Sequence, residues 1–382
     1  TEFYIKDKKE INMKIGVVTF WQSKDNYGQH LQSFALQTYL KKMGHEPFLI
    51  RYKENPQQSA HFQLKNICKY VTKMPTYIKF ILNQRKEKQN AVVWQQQGGQ
   101  EQRNLHGFLA DNVMLTSIMT EQELLANPPQ ADAYICGSDQ IWAGPAPYYL
   151  SFAPDDAKKI AYAPSLGGLT HFKSEYEAMM IRLMKRLDFI GMREQSGVEV
   201  CHRLGFKEAV KVVDPTLLLR KEDYDKIKCN VKKDKPYAFI YLLGNPTTCS
   251  IASVMEFVKK RDLDYVYVPS QNRMDNFEKL FATMGEWIGY LSNADVVITN
   301  SFHCTVFSLI YHRPFITLKL NNGYERMNTR VEELLLLSKL DSQFIDDDIN
   351  LANICNLDFS EFDSYRESEE KRSRNYLKTH LL

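Results

Sequence analysis

Short runs of β-branched and aromatic residues alternate with segments of helical spacing along most of this chain. Residues 15–20 read as a strand. Leu31, Ala35, Leu36, Tyr39, Leu40 and Met43 then recur at helical spacing through residues 29–43. Gly44 stops that helix, and residues 48–52 read as a second strand. The order strand, loop, helix, strand predicts the opening of a Rossmann-like domain. It lacks G-x-G-x-x-G, so a dinucleotide is not indicated.

The rhythm breaks over residues 53–125 and returns at Ala131. Strands are expected at 133–136, 148–152, 159–163 and 189–192, with helices at 175–187 and 198–204, the latter N-capped by Ser196. A second set follows a crossover at 218–235. Its strands are expected at 237–243, 265–268, 296–298 and 315–318, and its helices at 251–260, 306–311 and 331–337. The run 306–311 is apolar nearly all round, which suits a buried helix. The charged end, 361–382, reads as a last, largely solvated helix.

This pattern predicts an α/β protein of two Rossmann-like domains with a cleft between them. The first spans 13–220 with a helical, basic insertion at about 55–125. The second spans 235–360, and residues 361–382 form the terminal helix. The length of 382 residues also favours two domains. The net charge of +3 is too small to imply nucleic acid. Seven scattered cysteines without C-x-x-C, and nine histidines without H-x-x-x-H, point to a reducing cytoplasm and to no protein-built metal site. No apolar run approaches the roughly 20 residues of a membrane helix. Residues 65–88 carry seven Lys/Arg against one Glu. They read as an amphipathic helix that is either a solvated face or a contact with an anionic membrane surface.

Four polar loops fall at the carboxyl ends of expected strands, where ligands bind in open parallel sheets. They are Asp25-Asn26-Tyr27-Gly28, Gly137-Ser138-Asp139-Gln140, Arg193-Glu194 and Ser301-Phe302-His303. Alone, each has an ordinary structural reading: a turn, a helix cap, a surface charge, a satisfied histidine.

Together, D-N-Y-G-x-x-L-Q, Y-I-C-G-S-D-Q-I-W, M-R-E-Q-S-G-V-E, V-V-D-P-T-L-L-L, E-W-I-G-Y and V-I-T-N-S-F-H resemble the polysaccharide pyruvyl transferase family. The likeness runs from about Lys14 to about Leu337. It implies a fold similar to the GT-B glycosyltransferases. It also implies transfer of a pyruvyl group from phosphoenolpyruvate to two sugar hydroxyls, in bacterial surface polysaccharide synthesis, with no further cofactor. His303 is the implied general acid and Arg193 the donor clamp. The proton of the attacking hydroxyl falls to Asp139 first and Asp25 second. Asn26, Tyr27, Gly28, Ser138, Gln140, Glu286, Ser301, Phe302, Cys304 and Thr305 complete the expected substrate site, with backbone N–H groups of the helix after His303 holding an anionic group. The implied partners are a free or lipid-linked sugar acceptor and, through the basic stretch, the cytoplasmic face of the inner membrane.

Two departures bear on donor binding. Some members carry Arg two positions before the motif histidine, where this chain has Ser301. The second anion clamp is then either missing or supplied by Lys24, Arg326 or Arg330. The residue after the histidine is commonly Gly, and here it is Cys304, expected as a buried small residue rather than a nucleophile. Beside the pyruvyl transferase stand two alternatives: a nucleotide-sugar glycosyltransferase of GT-B type and a non-catalytic glycan-binding protein.

Overall fold

The computed structural model describes residues 12–54, 99–270, 273–351 and 353–381. The basic stretch 65–88 lies outside them.

Seven strands form the first sheet: β1 (Lys14–Val18), β2 (Glu46–Tyr52), β3 (Leu115–Met119), β4 (Ala133–Gly137), β5 (Lys158–Tyr162), β6 (Phe189–Met192) and β7 (Val210–Lys211). They lie parallel in the order β3-β2-β1-β4-β5-β6-β7. Five more form the second: β8 (Tyr237–Leu242), β9 (Asp264–Pro269), β10 (Val296–Thr299), β11 (Phe315–Leu318) and β12 (Phe344–Ile345). These are also parallel, in the order β12-β11-β10-β8-β9. The continuous apolar runs of β8, β10 and β11 are explained by burial on both faces. Strand order reverses beside β1 in the first sheet and beside β8 in the second, so each sheet opens a crevice at its carboxyl edge.

Several elements differ from the sequence expectation. Residues 146–149 form a single 3-10 turn rather than a strand. Pro147 supplies no ladder N–H, and Leu150 ends the turn at a φ of 59°. The expected helical insertion ends in β3, an edge strand whose mostly half-exposed residues lack apolar alternation. Glu194, not Ser196, holds the N-cap position of the helix Gln195–Arg203.

The terminal helix, Ser360–Leu381, is docked rather than largely solvated. Phe362, Ser373, Tyr376, Leu377 and Leu381 are buried. Tyr376 donates to the Ala161 carbonyl at 3.0 Å, and Ser373 Oγ accepts from Val213 N–H at 2.9 Å. The helix thus returns to the first sheet. A narrow stripe at helical spacing carries the docking, and the charges on the other faces hide it.

The two halves also meet through Tyr27. Its ring stacks on Trp287, with centroids 5.4 Å apart. Its hydroxyl donates to the Ala282 carbonyl, and its N–H lies 3.3 Å from Tyr241 Oη. At Gly168, φ is +77°, and an added Cβ would strike the Arg326 carbonyl at 2.1 Å. Backbone from the two halves touches there, which requires glycine.

Candidate active site

The loops leaving β4, β6, β7 and β10 converge on one carboxylate, Asp214. It is 2% exposed. Its Oδ1 accepts from Thr216 N–H at 3.0 Å and Thr216 Oγ1 at 2.7 Å, which caps the turn Pro215–Leu217. Its Oδ2 accepts from Ser138 Oγ at 2.9 Å and Arg193 Nη1 at 3.0 Å. His303 Nε2 stands 3.3 Å from the same oxygen, an ion-pair distance without hydrogen-bond alignment. Burial alone would raise the Asp214 carboxyl. The interaction with His303 and the charge of Arg193 outweigh burial and hold it far below the usual carboxylate range.

His303 belongs to the second domain. Ser301 N-caps its helix, Phe302–Ile310, by accepting from Cys304 N–H at 3.4 Å. The imidazole reaches the first domain, where Gly28 faces it. An added Cβ on Gly28 would lie 2.3 Å from His303 Nδ1. Gly28 therefore makes room for the ring, and Gly28 and Asp214 hold it from two sides.

Arg193 is 5% exposed. Its Nε donates to Glu194 Oε1 at 2.8 Å and its Nη1 to Asp214, while its buried Nη2 has no partner among the described residues. Arg330, in the helix Thr329–Leu337 of the second domain, is 8% exposed. Both guanidinium groups stand over the Phe302 ring, Arg193 Cζ at 4.9 Å and Arg330 Cζ at 5.8 Å from its centre. With its amide turned to satisfy both ends, Gln140 accepts from Arg330 Nη2 at 3.2 Å and Nη1 at 3.3 Å. A cavity of about 30 Å³ opens among Arg193, Asp214, Phe302, Arg330, Glu333 and Tyr365. That is room for roughly one water.

Of the residues singled out in the sequence, the structure gathers Gly28, Ser138, Asp139, Gln140, Arg193, Phe302 and His303. Asp139 is buried at a φ of 67°, with Oδ1 accepting from Gln140 N–H at 2.8 Å and Oδ2 accepting from Gln29 Nε2 at 3.4 Å. Asp25 stands in the loop before the helix Tyr27–Lys42, its Oδ1 accepting from Ser23 Oγ at 3.2 Å. Asn26 caps that helix, accepting from Gln29 N–H at 3.3 Å.

Four of the expected substrate contacts are corrected. Tyr27 is wholly buried against Trp287 and serves the domain junction. Glu286 completes a capping box with Thr283, accepting from its N–H at 2.8 Å and its hydroxyl at 2.9 Å. Cys304 and Thr305 turn into the core. Burial raises the Cys304 thiol, and Thr305 Oγ1 bonds the Ser301 carbonyl at 3.0 Å and Thr317 Oγ1 at 2.8 Å.

A sequence profile described as polysaccharide pyruvyl transferase matches residues 26–322, most of the chain. The chain belongs to that family. No curated protein matches it in a direct sequence search. Among solved structures, a putative UDP-N-acetylglucosamine 2-epimerase from Listeria monocytogenes superposes with a TM-score of 0.50 at 10% identity, over 94% of this chain and 90% of that one. A UDP-GlcNAc 2-epimerase from Methanocaldococcus jannaschii gives 0.49 at 12% identity, over 96% and 100%. A glycosyltransferase from Streptomyces sp. SF2575 gives 0.39 at 12% identity, over 97% and 96%. The two parallel sheets and the Listeria superposition bear out the two Rossmann-like domains that the strand pattern predicts.

Asp214 escaped the sequence reading as a site residue. The signal was present in V-V-D-P-T, but Asp before Pro-Thr reads as a turn cap, and half of its carboxylate is one. Arg330 was one of three possible clamps. Lys24 and Arg326 are exposed, and only Arg330 is buried beside Arg193 and Phe302.

Proposed function

We propose that the protein transfers the pyruvyl group of phosphoenolpyruvate onto a sugar diol, giving a cyclic ketal and phosphate. The observation that carries this reading is His303. It crosses from one domain to a buried carboxylate in the other, beside two guanidinium groups, in a member of the pyruvyl transferase family. His303 delivers a proton to C3 of the donor. One sugar hydroxyl attacks C2, the C2–O bond to phosphate breaks, and the second hydroxyl closes the ketal. Of the two hydroxyl protons, one balances the proton added to C3 and the other leaves with phosphate. Asp139 takes the proton of the attacking hydroxyl, and Asp214 orients His303 and Arg193.

The donor is a cytoplasmic metabolite, and we place the reaction in the cytoplasm as a step of surface polysaccharide synthesis. No described helix is long and apolar enough to cross a membrane. A lipid-linked acceptor would give the basic stretch 65–88 a membrane surface to meet.

The test is incubation with phosphoenolpyruvate and a panel of sugars, following phosphate and glycan mass. Acceptor-dependent phosphate and a gain of one pyruvate less one water are expected. Release of UDP or CMP from a nucleotide sugar in a parallel mix, with phosphoenolpyruvate untouched, would replace this reading with a glycosyltransferase.

A further inference from the structure

Two buried guanidinium groups stand near each other in this site, and their surroundings differ. Arg193 has spent Nε on Glu194 and Nη1 on Asp214. Arg330 forms no ion pair with any carboxylate among the described residues. Its polar contacts are neutral: the Gln140 amide oxygen and the Met327 carbonyl, 3.5 Å from Nε. Burial and then the like charge of Arg193 lower its guanidinium to about 10, against the distant pull of Glu194, Asp139 and Asp214. A buried cation without a contacting counter-ion is costly. It makes sense where a ligand brings the missing anion.

One further donor points the same way. Arg193 Nη2 is buried without a hydrogen-bond partner among the described residues. The Phe302 ring meanwhile lies under both guanidinium groups and attracts them through its π face, without supplying a counter-charge.

We propose that Arg330 is the clamp for the donor's phosphoryl group, contributed by the second domain, while the single open nitrogen of Arg193 meets the carboxylate from the first. The fork of Arg330 offers paired N–H groups in one plane, and a phosphate dianion takes the place of the neutral Gln140 amide oxygen that Nη1 and Nη2 share. A carboxylate needs less and can share Arg193 with its fixed partners. One small trianionic ligand then ties the two halves of the cleft together. The proposal rests on the reading above only for the identity of the donor.

The probes are inorganic phosphate and pyruvate, titrated calorimetrically into the full chain and into Arg330→Gln and Arg330→Lys. Arg330→Gln should weaken phosphate by about tenfold or more and leave pyruvate within about twofold. Arg330→Lys, which keeps the charge, should lose less. Because an uncompensated buried cation is removed, Arg330→Gln should melt no lower than wild type. A merely structural Arg330 predicts the reverse: a lower melting temperature with phosphate affinity unchanged. Phosphate binding within about twofold of wild type in Arg330→Gln overturns the assignment, as does equal loss of phosphate and pyruvate. So does a wild type that binds no phosphate. If phosphate behaves as expected but phosphoenolpyruvate is never consumed, the donor reading falls and Arg330 stands. If phosphoenolpyruvate turns over while Arg330→Gln binds phosphate normally, only the Arg330 assignment falls.

Discussion

Gly28 and His303 pack against each other across the domain boundary, so closely that a Cβ on Gly28 would lie 2.5 Å from the His303 Cβ. Gly28 sits in a helix, where alanine ordinarily stabilises by about 0.5–1 kcal/mol. Here the added methyl meets the imidazole instead. Gly28→Ala should therefore cost about 1–3 kcal/mol through overpacking. Turnover should fall further than stability, by about a hundredfold, because the ring is displaced from Asp214. A thermal melt and a phosphate-release assay on the same preparation would show it. Full activity with an unchanged melt would mean that the ring has room to move.

Asp214 ties the packing of this site to acid stability. Its carboxyl is held far below its ordinary value of 3.8, against the opposing effect of burial, by His303 and Arg193. A carboxylate depressed in the folded state adds stability above its unfolded value and loses it as pH falls toward the folded value. Asp214→Asn should then be less stable than wild type by about 3–5 kcal/mol near neutrality, because it leaves the buried Arg193 half-paired. The gap should narrow below about pH 4. Urea melts at both pH values measure this directly. A gap that widened on acidification would reverse the sign argued here.

His303→Ala should lower turnover by about a hundredfold to ten-thousandfold, the usual range for loss of a general acid. The fold should persist, since the deleted ring leaves Asp214 still bonded to Ser138, Arg193 and Thr216. Single-turnover kinetics would separate chemistry from binding. Retention of most activity would move the acid role to another group.

The sheets were legible because buried parallel strands read as short apolar runs, and strands 189–192 and 315–318 match their expected bounds. The placement of His303 and Arg193 just beyond strand ends was legible because they follow such runs directly. Asp214 was not, because Pro215 and Thr216 give it a sufficient local reason to exist. Tyr27 and Glu286 misled for the opposite reason. They stand beside site residues in sequence, yet one plugs a domain junction and the other closes a helix end. Arg330 follows a strand by a long turn, so only the folded chain brings it to Phe302.

The reassignment of Tyr27 has a simple check. Tyr27→Phe keeps the stack on Trp287 and removes the hydroxyl that bonds the Ala282 carbonyl and interacts with Arg103. A loss of about 1 kcal/mol is expected, with KM for donor and acceptor unchanged. A raised KM at unchanged stability would return Tyr27 to the substrate site.

The terminal helix supports the site from behind. Ser373 Oγ accepts from the N–H of Val213, the residue before Asp214, and both are buried. Ser373→Ala leaves that N–H without an acceptor, at a cost of about 1–3 kcal/mol. Since the strand-to-turn path into Asp214 loosens, turnover should fall as well, while Lys371→Ala on the exposed face should change stability by less than about 0.5 kcal/mol. Ser373→Thr, which retains a hydroxyl, should recover part of both losses. Equal melts for Ser373→Ala and Lys371→Ala would show that the docked helix contributes no specific hydrogen bond here, and that Asp214 is held by its own domain alone.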